Sequence, residues 1–420
     1  MNFAVKLYTI MKKTIVQKYG GSSVANPDCI KNVAKRVVAT RKKGYNVVVV
    51  VSALGDTTDK LIELAKQITD NPSEREYDML VSTGEQVSVA LLAMAIHRLG
   101  YEAISFTGAQ VGIMTDTSFS KARLINVDGK RIEQQLSKGK IVIVAGFQGI
   151  TENQEITTLG RGGSNLTAVA LSKALGGCMC EMNTDVEGVF TADPRLVPNA
   201  RKIDYLSYDE MLEMASLGLQ VLQARSVIFA KKFNVPIHVR SSFSKAEGTI
   251  ILKEVKPMWE GVVISGVTFE KKEAKMTICD VPDRPGIAAK IFKILADTQI
   301  NVDMIIQNIS RTRRTDISFT VPKADLQKSL KTTREIAKKI KAEKVTFDED
   351  IAKVSIVGVG MKSHPGVAAK MFEIMADKKI NIEMISTSEI SISCVIAKAK
   401  AELAVKALHN AFGLDKKKKK

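Results

Sequence analysis

Four short stretches carry residues able to do chemistry. Thr158–Leu171 (TLGRGGSNLTAVAL) sets glycines around Arg161 at the mouth of an amphipathic run. Glycine lets backbone N–H groups approach a ligand, and a helix N-terminus carries partial positive charge. Arg161 adds a bidentate donor suited to a carboxylate or phosphate. The turn reads as an anion site or as a plain strand-to-helix turn. Gln17–Ser23 (QKYGGSS) puts Lys18 beside Gly20 and Gly21, a lysine to neutralise phosphate oxygens and glycines to admit them. Val81–Ser88 (VSTGEQVS) offers Ser82, Thr83 and Glu85 at a helix start. Its hydroxyls cap the helix, or Glu85 holds a substrate ammonium. Asn183–Arg195 (NTDVEGVFTADPR) is a polar loop suited to ribose, phosphate and a metal ion, or a solvated turn. Neither G-x-x-x-x-G-K-[ST] nor G-x-G-x-x-G occurs, which excludes a P-loop NTPase.

The elements that must position these residues follow from periodicity. TIVQKYGG is a strand ending in a glycine turn. The next segment is a helix, with Asn26 as cap, Pro27 in its first turn and Gly44 as its stop. YNVVVVVSA is a strand buried on both faces. A helix through Gly84–Leu99, a strand at KIVIVAGFQG, a helix over Leu166–Leu175 and a strand at CMCEMNTD continue the rhythm. Such βα alternation predicts an α/β fold with an open, mostly parallel sheet, its ligand site outside the strands' C-terminal ends.

The last third contains an internal repeat. Pro285–Ile305 returns as Pro365–Ile385, with thirteen of twenty-one positions identical. Each copy reads strand, Pro-Gly turn, helix, "IN" turn and strand, a small unit of sheet and helices. Two such units can pair their sheets and form clefts.

Composition bounds the partners. The 420 residues allow two to four domains, and 45% hydrophobic content supports full cores. Aromatics reach only 5%, so base-stacking platforms are not suggested. The net charge is +17, with five charges in Lys416–Lys420, and the remaining cations are dispersed. That pattern suits small anions rather than nucleic acid. Five cysteines without a C-x2-C pair or H-E-x-x-H point to neither a disulfide frame nor zinc, as in a reducing cytoplasm. Apolar runs are of strand length, so no membrane partner is expected.

In this order, KYGGSS, VVSALG, LVSTGEQVS, GFQG, GRGGSN and TDVEGVFTADPR resemble the aspartate kinases of the amino acid kinase family, and the duplicated third resembles their paired ACT domains. The likeness runs from about Thr14 to Leu414. It implies an amino acid kinase-type sheet sandwiched by helices, then two βαββαβ, ferredoxin-like ACT domains. The boundaries expected are an extension over 1–13, a kinase domain over 14–245 and a linker over 246–265. ACT domains over 266–345 and 346–415 follow, then a lysine tail over 416–420. The activity implied is ATP- and Mg²⁺-dependent phosphorylation of the L-aspartate β-carboxylate, entering lysine, threonine and methionine synthesis.

The resemblance also assigns residues. Ser52, Thr83, Glu85, Arg161, Gly162, Gly163 and Ser164 would hold aspartate. Lys18, Tyr19, Gly20, Gly21, Thr184, Asp185 and the segment Phe190, Thr191, Ala192, Asp193, Pro194 and Arg195 would hold the nucleotide. Lys18, Arg161 and Asn165 are the catalytic set. The family's usual aspartate at the last position is here Asn165, which keeps the shape and removes a charge. A catalytically silent amino-acid sensor on the same scaffold is the alternative. For regulation, the turn Asp283, Arg284, Pro285, Gly286, Ile287 and Ala288 leads into a helix whose free N–H groups can receive an amino-acid carboxylate. Val367 and Ala368 begin its counterpart. Asn301, Gln307, Asn381, Ile382, Ser388 and Glu389 complete the expected effector residues, for lysine or threonine. A homo-oligomer joined through the ACT domains is expected.

Overall fold

The computed structural model describes residues 13–253, 263–308, 313–359, 361 and 366–416. Residues 1–12 of the expected extension, Pro365 and most of the lysine tail lie outside them. The chain forms two units. One holds residues up to Val189 with Lys202–Ala215 and Gln220–Lys256; the other holds Phe190–Arg201, Ser216–Leu219 and Pro257 onward.

The first unit begins with β1 (Thr14–Tyr19), α1 (Pro27–Lys42), β2 (Asn46–Val51), α2 (Thr57–Ile68), α3 (Glu74–Val81), α4 (Thr83–His97) and β3 (Ala103–Phe106). Then come β4 (Ile113–Thr115), β5 (Leu124–Val127), α5 (Lys130–Ser137), β6 (Ile141–Ala145), β7 (Gln148–Ile150), β8 (Ile156–Thr158), α6 (Gly163–Ala174) and β9 (Met179–Thr184). The later elements are β10 (Tyr205–Ser207), α7 (Tyr208–Ser216), α8 (Ala224–Phe233), β11 (Ile237–Ser241) and β12 (Thr249–Leu252).

Asn26 caps α1, its Oδ1 accepting from the N–H groups of Asp28 at 3.1 Å and Cys29 at 2.9 Å. The main sheet has the order β10-β12-β11-β9-β1-β2-β6-β3. Its run from β11 to β3 is parallel, while β12 joins β11 antiparallel. Five consecutive valines in β2 are fully buried, as a central strand covered on both faces requires. Val33 and Val37 of α1 and Leu92 and Ile96 of α4 pack on one face. The stretch Glu74–His97 is long and apolar enough to cross a membrane by composition, but half of that window is buried in the unit. A small second sheet, β5-β4-β7-β8, carries the approach to the glycine turn.

The second unit contains β13 (Val263–Glu270), β14 (Glu273–Pro282), α9 (Ile287–Asp297), β15 (Ile305–Gln307), β16 (Arg314–Pro322), α10 (Leu326–Ile340) and β17 (Lys344–Asp348). It continues with β18 (Ile351–Val359), α11 (Val367–Asp377), β19 (Ile382–Thr387), β20 (Ser391–Ala397) and α12 (Ala401–Ala411). The first copy is a complete βαββαβ unit with sheet β15-β16-β14-β17. The second has the sheet β13-β18-β20-β19, so its outer strand comes from before the first copy.

Two expected boundaries change accordingly. The linker expected over 246–265 contains β12, a strand of the kinase sheet, and the start of β13. β13, expected to open the first ACT domain, pairs with the second. Strand pairing depends on which edge is open, not on chain order, so the repeat alone could not locate either strand.

The two copies are tied by matched ion pairs. Lys275 and Lys353 open the equivalent strands KMTICDV and KVSIVGV, and Asp303 and Glu383 follow the equivalent "IN" turns. Lys275 binds Glu383 at 2.8 Å, and Lys353 binds Asp303 and, at 2.8 Å, Glu273. Each lysine thus reaches the other copy, as an approximate twofold demands. Met304 and Met384, also equivalent, share one apolar cluster. Lys353 is only 1% exposed, so its charge depends on these carboxylates. Removing one partner of a buried pair leaves the other desolvated. Lys353→Met is expected to cost about 3 kcal/mol, read as a shift of the unfolding transition in urea. Glu273→Gln in that background should recover part of the loss; two independent, additive losses would show that the contact is only solvated surface.

Candidate functional site

One cavity of ≈ 870 Å³ opens at the C-terminal ends of β9, β1, β2 and β6. Lys18 comes from the end of β1, Ser52 follows β2, Phe147 follows β6 and Thr184 ends β9. Side chains alternate along a strand. Lys18 therefore lines the cavity, while Tyr19 is fully buried in the core on the opposite face. The Tyr19 carbonyl accepts the Ser52 N–H at 3.1 Å. Its side chain is thus a core element and not part of the expected nucleotide site. Glycine is required at position 21, where a Cβ would stand 2.9 Å from the Gly55 carbonyl oxygen, while a Cβ on Gly20 would come 3.3 Å from the Lys18 amine and crowd it.

The glycine turn enters from the other side. Gly160 and Gly162 have φ of +75° and +76°, backbone that side chains rarely adopt. A Cβ on Gly162 would lie 1.9 Å from Cγ of Gln223. Gly146, at the end of β6, leaves space for Ser164, which otherwise would sit 2.7 Å from a Cβ. The first turn of α6 is thereby pressed against the sheet's end. Gly162 caps α6 with no side-chain hydrogen bond, leaving the positive end of the helix toward the cavity. Arg161 stands exposed on the cavity wall, and among the described residues it has no ion-pair partner. Ser164 and Asn165 line the same wall.

Burial sets the charges. It lowers the Lys18 amine to about 8, opposed by Cys180 and Asp185, so the group stays mostly protonated at neutral pH. Glu85 is 3% exposed, and burial pushes its carboxyl up to about 7. The Ala53 N–H donates to its Oε1 at 3.1 Å, while Oε2 is buried without a partner. An unpaired carboxylate oxygen lining a cavity is suited to a ligand cation. The site thus holds cations for two anionic groups and one carboxylate for an ammonium. Among the described residues, no group of three or more His, Cys, Asp or Glu side chains could hold a metal ion.

Not every expected residue arrives. Thr83 is exposed and donates to the Leu80 carbonyl at 2.7 Å, joining α3 to α4 instead of facing the cavity. Asp185 is exposed beside Thr184, whose hydroxyl donates to it at 2.9 Å. Phe190–Arg195 belongs to the second unit. There Thr191 contacts His409 Nε2 at 3.0 Å, and Ala192 packs in the apolar core with Val267 and Val354. Arg195 binds Asp193 at 2.7 Å. A polar loop looks alike in sequence whether it meets a ligand or a neighbouring sheet.

Other wall residues carried no sequence signal of their own. Thr58 and Asp59 of α2, Tyr77 of α3, and Gln220 and Gln223 line the cavity. Phe147 was legible only as a motif letter, yet it has φ of +71°, strained for a bulky residue. The effector residues lie in the second unit. Gly286 and Gly366, with φ of +90° and +106°, precede α9 and α11. Gln307 ends the edge strand β15, and Ser388 and Glu389 form the β19–β20 turn. The turn residues Ser363–Pro365 lie outside the described residues.

The family profile described as "Amino acid kinase family" matches residues 13–241, and an ACT domain profile matches 280–335 and 354–412. An aspartate kinase of Pseudomonas putida is 51% identical over 96% of this chain and 98% of its own length. An aspartokinase of Corynebacterium glutamicum is 50% identical over 95% of this chain and 96% of its own. Among solved structures, E. coli aspartokinase III in complex with lysine and aspartate (T-state) aligns with TM-score 0.74 at 25% identity. That alignment covers 96% of this chain and 100% of the other.

The burial of Glu85 makes the site pH-sensitive. Its folded value near 7 exceeds the ordinary 4.5, so the folded site keeps a proton that the unfolded chain releases. Stability should therefore fall as pH rises from 4.5 to 7, by up to about 3 kcal/mol for this group. Glu85→Gln should remove that slope. Denaturant midpoints of both proteins across this window check it; parallel profiles would refute the assignment.

Proposed function

This chain belongs to the aspartate kinases of the amino acid kinase family, and we propose that its cavity transfers the γ-phosphoryl group of ATP to the β-carboxylate of L-aspartate. The observation that carries the reading is the unpaired, buried Glu85 oxygen in the same cavity as Lys18 and Arg161. An α-amino acid offers the matching charges, an ammonium for Glu85 and an α-carboxylate for Arg161 and the N-terminus of α6. Ser52 and Ser164 line the same cavity as further donors.

A carboxylate is already ionised at neutral pH and needs no general base. Its oxygen attacks the γ-phosphorus, the bond to the bridging oxygen breaks, and ADP leaves with that oxygen's electron pair. No proton is transferred. The obstacle is repulsion between anions, so positioning and cations carry the catalysis. Lys18 neutralises charge on the transferring group, and the Gly20–Gly21 backbone admits the phosphates. Thr184, at the end of β9, lines the same cavity and would face the nucleotide. Mg²⁺ would be held by nucleotide phosphate oxygens, with the side chains supplying orientation.

Asn165 faces this cavity where the family usually has aspartate, and we assign to it a reduced turnover. One preorganised charge is worth on the order of 10²–10³ in rate. Trapping the acyl phosphate with hydroxylamine in ATP, Mg²⁺ and L-aspartate tests both points. Lys18→Ala should abolish the hydroxamate signal, and Asn165→Asp should raise it. A Lys18→Ala rate close to that of the parent would sink the transfer role.

The regulatory reading places lysine or threonine at the ACT unit and joins chains through its sheet edges. It is supported by the free edge strands β15 and β19, which expose the equivalent residues Ile305 and Ile385 at 51% and 43%. The E. coli relative bound to lysine supports the effector class. An effector that prefers one arrangement shifts the population toward it. Calorimetry with the full chain should show heat of binding for lysine or threonine, weakened by Gln307→Ala. No heat for either, alone or together, would leave the repeat as an assembly module.

A further inference from the structure

Arg161 has an orientation problem. It lies between two glycines in left-handed backbone and is itself exposed. Nothing within the turn fixes where its guanidinium points. Two charged residues outside the motif hold the strand and loop that lead into it. Asp78 of α3 is fully buried. Its Oδ2 accepts the N–H groups of Ser120 and Thr158, both at 2.8 Å, and its Oδ1 accepts the Thr158 hydroxyl at 2.6 Å. Arg225 of α8 donates to the Leu159 carbonyl at 2.7 Å and the Ala122 carbonyl at 2.6 Å. The same two segments are bonded to each other, Ala122 N–H to the Thr158 carbonyl at 2.9 Å.

Asp78 and Arg225 therefore grip one pair of segments, 120–122 with 158–159, from different helices. Among the described residues neither forms an ion pair; Arg225 is directed at backbone carbonyls of these segments, and Asp78 at two backbone N–H groups and the Thr158 hydroxyl. Charge-assisted bonds to backbone are short and strong. Both end one or two residues before Gly160, where the glycine turn begins. Thr158 and Ser120 also line the cavity, so the gripped segments are its wall.

We propose that Asp78 and Arg225 are positioning residues that set the Arg161 turn for the amino-acid substrate and leave the nucleotide side untouched. The inference rests on the reading that this turn receives L-aspartate. A small displacement of a positioned group is enough to lose a large factor in binding or rate.

The test is calorimetric, so it does not depend on turnover. L-Aspartate is titrated into the full chain with saturating ADP and Mg²⁺, and ADP with Mg²⁺ is titrated separately. Asp78→Asn, which turns one acceptor into a donor, and Arg225→Gln should each weaken L-aspartate by about tenfold and leave ADP within about twofold. Arg225→Lys, able to donate to one carbonyl, should fall between Arg225→Gln and the parent. It carries the test if the other variants fail to fold. Arg161→Ala is the control for the underlying reading: unchanged L-aspartate binding there would remove the turn as the substrate site. If Arg161→Ala weakens L-aspartate while the Asp78 and Arg225 variants do not, the positioning role is overturned. Equal weakening of L-aspartate and ADP would overturn it too, as general loosening of the unit.

Discussion

Repulsion between a polyphosphate and a carboxylate is the constraint to which the first unit answers. Water normally screens it, but a reacting pair must be brought together with water excluded. In the proposed reading the chain meets this with the Lys18 amine, which the parallel sheet delivers at the C-terminal end of β1, and with Arg161 and the N-terminal end of α6, which enter on the turn after β8. The close approach needs glycine. Gly146 lets Ser164 rest against the sheet's end, and Gly162 fits only because no Cβ meets Gln223. A methyl group at either place would push the helix terminus away from the anions.

Burial cuts both ways in such a site. It lowers the Lys18 amine to about 8 while leaving it mostly charged, and it raises Glu85 to about 7. Glu85 is shifted toward its protonated form, and in the proposed reading the substrate's ammonium would favour the ionised form instead.

The second unit solves a different problem with the same interactions. Two copies of one fold can pair like with like or each with the other. The matched bonds Lys275–Glu383 and Lys353–Asp303 relate them by an approximate twofold. Glu273 breaks that symmetry, adding a second carboxylate only on the Lys353 side. Lys353 is almost wholly buried, and a pair of second copies would offer it Glu383 in place of Asp303 but only Ile351 where Glu273 stands. Pairing of unlike copies supplies that second carboxylate.

Local sequence determined the features that arise from backbone sterics and periodicity. The βα rhythm, the Asn26 cap, the left-handed glycines of GRGG and the internal repeat were all legible, because each depends on residues a few positions apart. Lys18, Glu85 and Arg161 were legible for the same reason, as charges beside glycine turns and helix starts. Tertiary structure alone decided which chain segments meet. It put Phe190–Arg195 in the second unit, with Ala192 in its core. It left Thr83 bonding Leu80 at the surface and gave β13 to the sheet of the second copy. Asp78 and Arg225 were silent in the sequence because, the Thr158 hydroxyl apart, their partners are backbone carbonyl and amide groups, which nearly every residue carries. Backbone has no letter, so the side chains that grip it become visible only once the chain has folded around them.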